Sequence, residues 1–302
     1  MLCRLSVAAL LLGLLGAPLT ARAAPLRVVA TTAMVADLVR QVAGEDATVE
    51  GLMGPGVDPH LYKPVAADVL RLQRADVIFF NGLMLEGKMT EVLTRLGRTK
   101  PHLHAVAEAI PADLLLRSEG ATGEPDPHVW LDVGLWTRCL ETIERGLAAA
   151  DPARAANYAR RAAEVRGRLG ALDAWVRAKT GELPPARRVL VTSHDAFGYF
   201  GRAYGFEVVG LQGLSTTTEA GLADVARLTD LIRARGVRAI FVESSVPHAT
   251  IARVATDAGV RIGGELFSDA MGTPGQIENG YDLGTYEGMI RHNVTTLVEA
   301  LK

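Results

Sequence analysis

What the 302-residue chain lacks narrows it first. It has only two cysteines, Cys3 and Cys139, and Cys3 lies ahead of an apolar run near the start. If that run is an export leader, Cys139 is left alone and no intrachain disulfide can form. A surplus of one charge is missing too, because 32 Lys and Arg stand against 34 Asp and Glu, a formal net charge of −2. Nothing in that balance attracts nucleic acid or an anionic membrane surface. After the first apolar run there is no second one, no low-complexity tract, no HExxH and no nucleophile elbow.

Residues 1–23 read as a signal peptide. Arg4 supplies the positive region, "LSVAALLLGLLGAPL" the apolar one, and "ARA" at 21–23 the small residues that a signal peptidase cleaves after. The apolar run is too short and wrongly flanked for a membrane span. Cys3 lies too early to serve as a lipid-anchored cysteine at the cleavage point. The expectation is a soluble periplasmic protein starting near Ala24, with 279 of the 302 residues retained.

The retained chain alternates strand and helix signals in two halves. Strand-like runs fall at 27–31, 47–53, 76–82 and 102–106, and again at 188–193, 207–211, 238–244 and 261–266. Helical patterns lie between them at 33–43, 65–74, 86–97 and 134–149, then at 195–204, 218–235, 248–258 and 286–301. Strands and helices alternating at this spacing predict an α/β protein of two lobes, each a mainly parallel four-stranded sheet flanked by helices. Between the halves, 151–183 reads as one long helix opened by Asp151-Pro152 and closed by Gly181 and Pro184-Pro185. Tyr158, Ala162, Val165, Leu169, Leu172 and Val176 mark its apolar face. The expected organisation is an N-terminal lobe at 24–150, a rigid connector at 151–183 and a C-terminal lobe at 184–302. Such a connector should permit little change in overall dimensions. Gly167 and Gly170 inside it call for either close packing or a slight bend.

One short pattern occurs twice: Asp58-Pro59-His60-Leu61-Tyr62 and Asp126-Pro127-His128-Val129-Trp130. Ligands of open parallel sheets bind outside the carboxyl ends of the strands, and both histidines follow predicted strands. His194 directly follows "RVLVTS", and Asp269 stands past the last predicted strand. Three imidazoles and a carboxylate facing one cleft make an N₃O set suited to Zn²⁺. Mn²⁺ or Fe²⁺ would also be accommodated if the carboxylate binds through both oxygens. Of the other histidines, His102 and His104 are expected to be structural, His292 to be solvated, and His248 to be an outside candidate. Asp58, Asp126 and Asp195 are placed either to orient ligand rings or simply to cap turns.

The stretches "DPHLYKP", "PDPHVWLD", "TSHDAFGYFGRAYG", "GLQGLSTTTEAG", "IFVESSVPH" and "GGELFSDAMG" together resemble the TroA-like, metal-binding solute-binding proteins of ABC importers. The resemblance spans essentially the whole retained chain. It implies two α/β lobes joined by one long helix, a Zn²⁺ or Mn²⁺ ion (Fe²⁺ also within range) buried between them, and delivery to a membrane permease. The four ligand positions of the family fall on His60, His128, His194 and Asp269. Histidine at the third position leans toward Zn²⁺. The loop "LLLRSEGATGEP" before the second ligand lacks the histidines common in strict zinc importers, which keeps Mn²⁺ in play. A monomer with no nucleic-acid partner is expected. The competing reading is a secreted metal-dependent hydrolase on the same residues, with Glu243 or Glu265 as general base. An adhesive surface protein would need an anchor or an exposed apolar patch, and the sequence offers neither.

Overall fold

The computed structural model describes residues 24–118 and 123–302. The signal peptide proposed for 1–23 lies outside the described residues.

The first half builds one parallel sheet from β1 (Leu26–Ala30), β2 (Ala47–Gly51), β3 (Val77–Phe80) and β4 (Leu103–Ala105), in the order β2-β1-β3-β4. Its helices are α1 (Ala33–Ala43), α2 (Ala66–Arg74), α3 (Met89–Leu96) and α4 (Val133–Ala150). Thr32 caps α1 by accepting the Val35 N–H, and Gly44, at φ 55°, ends it.

The second half repeats the alternation with β5 (Val189–His194), α6 (Gly198–Tyr204), β6 (Glu207–Gln212), α7 (Leu222–Arg235), β7 (Ala239–Glu243), α8 (Ala249–Ala258), β8 (Arg261–Leu266) and α9 (Tyr286–Leu301). The expected four-stranded sheet is not one ladder here: the strands hydrogen-bond as two parallel pairs, β5 with β6 and β7 with β8. β5 and β7 lie side by side without a ladder. At their carboxyl ends the Glu243 side chain spans the seam by accepting the His194 backbone N–H at 2.9 Å. A hairpin of β9 (Ile277–Glu278) and β10 (Tyr281–Asp282), turned on Asn279-Gly280, was not anticipated.

Strand side chains alternate faces, and that alternation divides the cores. Val28, Ala30, Val77 and Phe79 in one half, with Leu190, Ala239 and Phe241 in the other, point inward to a single buried cluster. Val29 and Ile78 point outward to Leu72 and Leu93, while Val191, Ile240 and Val242 point outward to Leu228 and Val254. The two lobes therefore share one inner core and keep separate outer ones.

The connector α5 (Ala155–Thr180) has 26 residues and spans about 39 Å. All six residues of its predicted stripe are buried. Asp151 does not cap it as expected. A 3₁₀ turn, Pro152–Arg154, intervenes, and the Asp151 carboxylate instead accepts from Arg154 at 2.5 Å and from the Tyr158 hydroxyl at 3.1 Å. Gly167 and Gly170 face solvent with nothing within 4 Å of where a Cβ would stand, so close packing is not what keeps them glycine. Among the described residues no helix is long and apolar enough to cross a membrane.

Candidate metal centre

The repeated pattern is a local device. In each copy the aspartate accepts the backbone N–H of the histidine two residues on, Asp58 to His60 at 2.8 Å and Asp126 to His128 at 2.9 Å. The proline between them fixes φ and offers no competing N–H, so the Asx turn presents the imidazole rigidly. His60 follows β2, and His128 precedes the 3₁₀ turn leading into α4. In the second copy Asp126 also lies 2.7 Å from His128 Nδ1. A proton on that nitrogen leaves the Nε2 lone pair directed inward.

The other two groups come from the second half. His194 is the last residue of β5, four residues before α6 begins at Gly198. Its Nδ1 lies 2.6 Å from Glu243 Oε2. Asp269 follows β8, and the two residues before it are pinned. Asn293 exchanges two hydrogen bonds with the Phe267 backbone, and the Trp130 indole N–H donates to the Ser268 carbonyl at 2.8 Å.

These placements bring all four donors together. His60 is 6 % exposed, Asp269 2 %, and His128 and His194 are fully buried, with their ligand atoms within 4.8 Å of one another. The separations are 3.3 Å between Nε2 of His60 and His128, and 3.6, 3.4 and 3.1 Å from Asp269 to Nε2 of His60, His128 and His194. Four donors about 2.0–2.1 Å from a tetrahedral ion stand about 3.3–3.4 Å apart. Oδ2 of Asp269 serves His60 and His194 while Oδ1 serves His128, so both oxygens face the centre. Both oxygens and His194 Nε2 are buried without a well-aligned hydrogen-bond partner, which a cation would supply.

The electrostatics are uneven. Burial pushes His60 down to about 4, with Asp269 opposing. Burial also disfavours charged His194, but the carboxylates of Glu243 and Asp269 outweigh it and hold the ring well above its ordinary value. For Asp269, the imidazoles led by His194 outweigh burial and keep the carboxyl below the usual carboxylate range. Outside the four, Glu86 is wholly buried and pushed up to about 7 by that burial. It accepts from Thr31 and from the backbones of Asn81 and Gly82. It anchors a turn in which Leu83 and Met84 take φ of 53° and 64° and Gly87 presses against the His60 carbonyl, where a Cβ would stand 2.4 Å away.

The remaining candidates lie elsewhere. Asp58 holds a backbone rather than a ring, and the Asp195 backbone donates to the Gly213 carbonyl. His104 stacks on Phe79, with His102 beside it just before β4. His248 sits at the start of α8 near the Glu243 carbonyl and Glu265, away from the four donors. His292 is not solvated as expected, because it bridges Glu278 at 2.7 Å and the Glu265 carbonyl at 2.9 Å against the Phe267 ring. Its apolar neighbours come from a strand end that helical spacing alone does not reveal. Glu243, considered as a general base, has one oxygen on the His194 backbone and the other beside its ring. Half-exposed Glu265 pairs with His248. Sequence reasoning missed Glu86 and the Trp130 anchor, although a buried-type acid in the glycine-flanked "NGLMLEGK" was a visible signal.

Residues 28–300 match the family described as "ZnuA: Zinc-uptake complex component A periplasmic". The chain is 49% identical over 279 residues to the zinc-binding protein TroA of Treponema pallidum (strain Nichols), covering 91% of this chain and 88% of that protein. It is 47% identical over 283 residues to the manganese-binding lipoprotein MntA of Bacillus subtilis (strain 168), covering 92% and 90%. The solved periplasmic zinc-binding protein TroA from Treponema pallidum superposes with a TM-score of 0.87 over 92% of this chain and 99% of that one.

Proposed function

The chain belongs to the ZnuA family, and from that premise we propose that it captures one divalent transition metal, Zn²⁺ or Mn²⁺, on His60, His128, His194 and Asp269. It is an extracytoplasmic substrate-binding component, not an enzyme, and its partner is the membrane permease of an ABC importer. The observation that carries the ligand assignment is the buried N₃O cluster, with all donors within 4.8 Å of one another, four separations of 3.1–3.6 Å and two unpartnered carboxylate oxygens. Four protein donors close a tetrahedral sphere, which suits binding without chemistry. Both Asp269 oxygens face the ion, so a fifth bond is within reach for the harder Mn²⁺.

The location proposed here is the periplasm, reached through a leader at 1–23, while the Bacillus relative is named a lipoprotein. The working division is a lobe at 24–150, a connector at 151–183 and a lobe at 184–302, acting as a monomer. Elemental analysis of protein purified without added metal, followed by competition titration, tests the reading. It expects one Zn²⁺ or Mn²⁺ per chain. Alanine at any of the four positions should weaken binding by about 100-fold or more, above the loss typical of an outer-shell partner. A variant that kept wild-type affinity would remove that residue from the site, and a chain with no metal uptake would overturn the function.

A further inference from the structure

Residues 213–221, between β6 and α7, form a strap that meets the His60 loop from the opposite lobe. Thr216 is 7 % exposed, and its hydroxyl donates to Asp58 Oδ2 at 2.5 Å. The other oxygen of the same carboxylate accepts the His60 backbone N–H at 2.8 Å. One carboxylate thus joins a C-lobe hydroxyl to the backbone of an N-lobe ligand. Leu214 and Ser215 line a cavity of about 360 Å³ that reaches His60, while Thr216 and Glu219 line one of about 280 Å³ that reaches Asp58. The strap therefore stands between two openings that flank the His60 loop.

We propose that Thr216 is a positioning residue for metal binding. Through Asp58 its hydroxyl latches the His60 loop across the lobes and sets how fast the ion leaves. This rests on reading the four side chains as the metal site. The strap's first residue, Gly213, accepts the Asp195 N–H beside His194, but the Thr216 hydroxyl reaches only Asp58. The His128 and His194 rings sit against Asp126 and Glu243, and the Asp269 segment is held by Trp130 and Asn293, so loosening the Thr216 contact should free His60 first. Thr216 touches none of the four donors, so its loss should leave the ligand set unchanged. Removing the hydroxyl would leave one oxygen of a part-buried carboxylate without its partner, which is costly enough to be readable as a rate.

The experiment is stopped-flow transfer of Zn²⁺ from the loaded mature chain to an excess of chromogenic chelator. Thr216→Val keeps the side-chain shape and removes the donor, and it should release the ion roughly tenfold faster or more. Thr216→Ala should match it, and Thr216→Ser, which keeps the hydroxyl, should restore slow release. The visible absorption bands of the Co²⁺-loaded variants should coincide with wild type, since the same three nitrogens and one carboxylate remain. Release from Thr216→Val at the wild-type rate would overturn the latch, as would fast release from Thr216→Ser or an altered Co²⁺ spectrum. A wild-type chain that took up neither ion would instead overturn the metal-site reading, and the latch with it.

Discussion

Asp58-Pro59-His60-Leu61-Tyr62 and Asp126-Pro127-His128-Val129-Trp130 make the same Asx turn and serve opposite ends of the site. In the second copy everything after the turn is buried. Val129 and Trp130 are fully enclosed, the indole donates across the cleft to Ser268, and the Tyr286 hydroxyl donates back to the Trp130 carbonyl at 2.6 Å. The Tyr199 hydroxyl adds a third bond across the cleft, to the Asp126 carbonyl at 2.9 Å. In the first copy Leu61 is 51 % exposed, and Tyr62 turns back within its own lobe to Asp68. Only Asp58 reaches across, to Thr216. The same five-residue pattern therefore gives one fixed ligand in a sewn seam and one ligand at a latched rim. Local sequence sets the turn, and the surroundings set how firmly it is tied down.

The largest expected effect sharpens this contrast through protons. His60 at the rim is pushed down to about 4, so it is neutral from pH 7 to 5 and gives up no proton to the metal there. His194 is held well above its ordinary value, so it is protonated over that window and must lose its proton when the ion arrives. Each competing proton costs about tenfold in affinity per pH unit, so affinity should fall about 100-fold or more between pH 7 and 5. Competition titration across that range checks it. A constant affinity would contradict the proton on His194, and a slope of three decades per unit would contradict a neutral His60.

A smaller effect compares matching positions of the two copies. Trp130→Phe removes the donor that pairs with the Ser268 carbonyl, and it should cost about 1–3 kcal/mol of unfolding free energy because that carbonyl is left buried and unpaired. It should also weaken metal binding, since Ser268 precedes Asp269. Tyr62→Phe removes one donor at the equivalent place, but the Asp68 carboxylate keeps the Val65 N–H at 2.9 Å and the Arg71 guanidinium at 3.3 Å, so the expected cost is below about 1 kcal/mol. Denaturant unfolding of the metal-free proteins measures both. Equal losses would break the distinction between seam and rim.

The smallest effect concerns the connector. Gly167→Ala and Gly170→Ala should each stabilise the chain by about 1 kcal/mol, because both sites are exposed mid-helix and nothing would meet the added methyl. Release belongs to the rim in this account, so the double variant should release Zn²⁺ at the wild-type rate. Slower release would mean that the helix bends to open the cleft.

The sequence carried the regular elements and the four donors because both follow from short-range rules. α1 and α9 span 33–43 and 286–301 as expected, since capping threonines and apolar periodicity mark them. Aspartate and proline ahead of His60 and His128 announced the turns. The misplaced helix starts cluster at the site. Helices expected from 86, 195 and 218 begin at Met89, Gly198 and Leu222, because the residues between belong to the Glu86 turn, the segment after His194 and the Thr216 strap. There, long-range hydrogen bonds override local helix preference. The partnership of Glu243 with His194 depends on β5 lying beside β7, which a single sequence does not state. The Asn279-Gly280 hairpin, by contrast, was readable from its dipeptide alone.

The central claim is a single ion held by three imidazoles and one carboxylate at the meeting of seam and rim. X-ray absorption of the Zn²⁺-loaded mature chain tests it most directly. The account predicts four or five nitrogen and oxygen neighbours at about 2.0–2.2 Å, with multiple-scattering features of three imidazoles and no sulfur. His60→Ala should remove one imidazole from that signal and His102→Ala none. A six-oxygen shell, a sulfur neighbour, or an unchanged imidazole count in His60→Ala would contradict it.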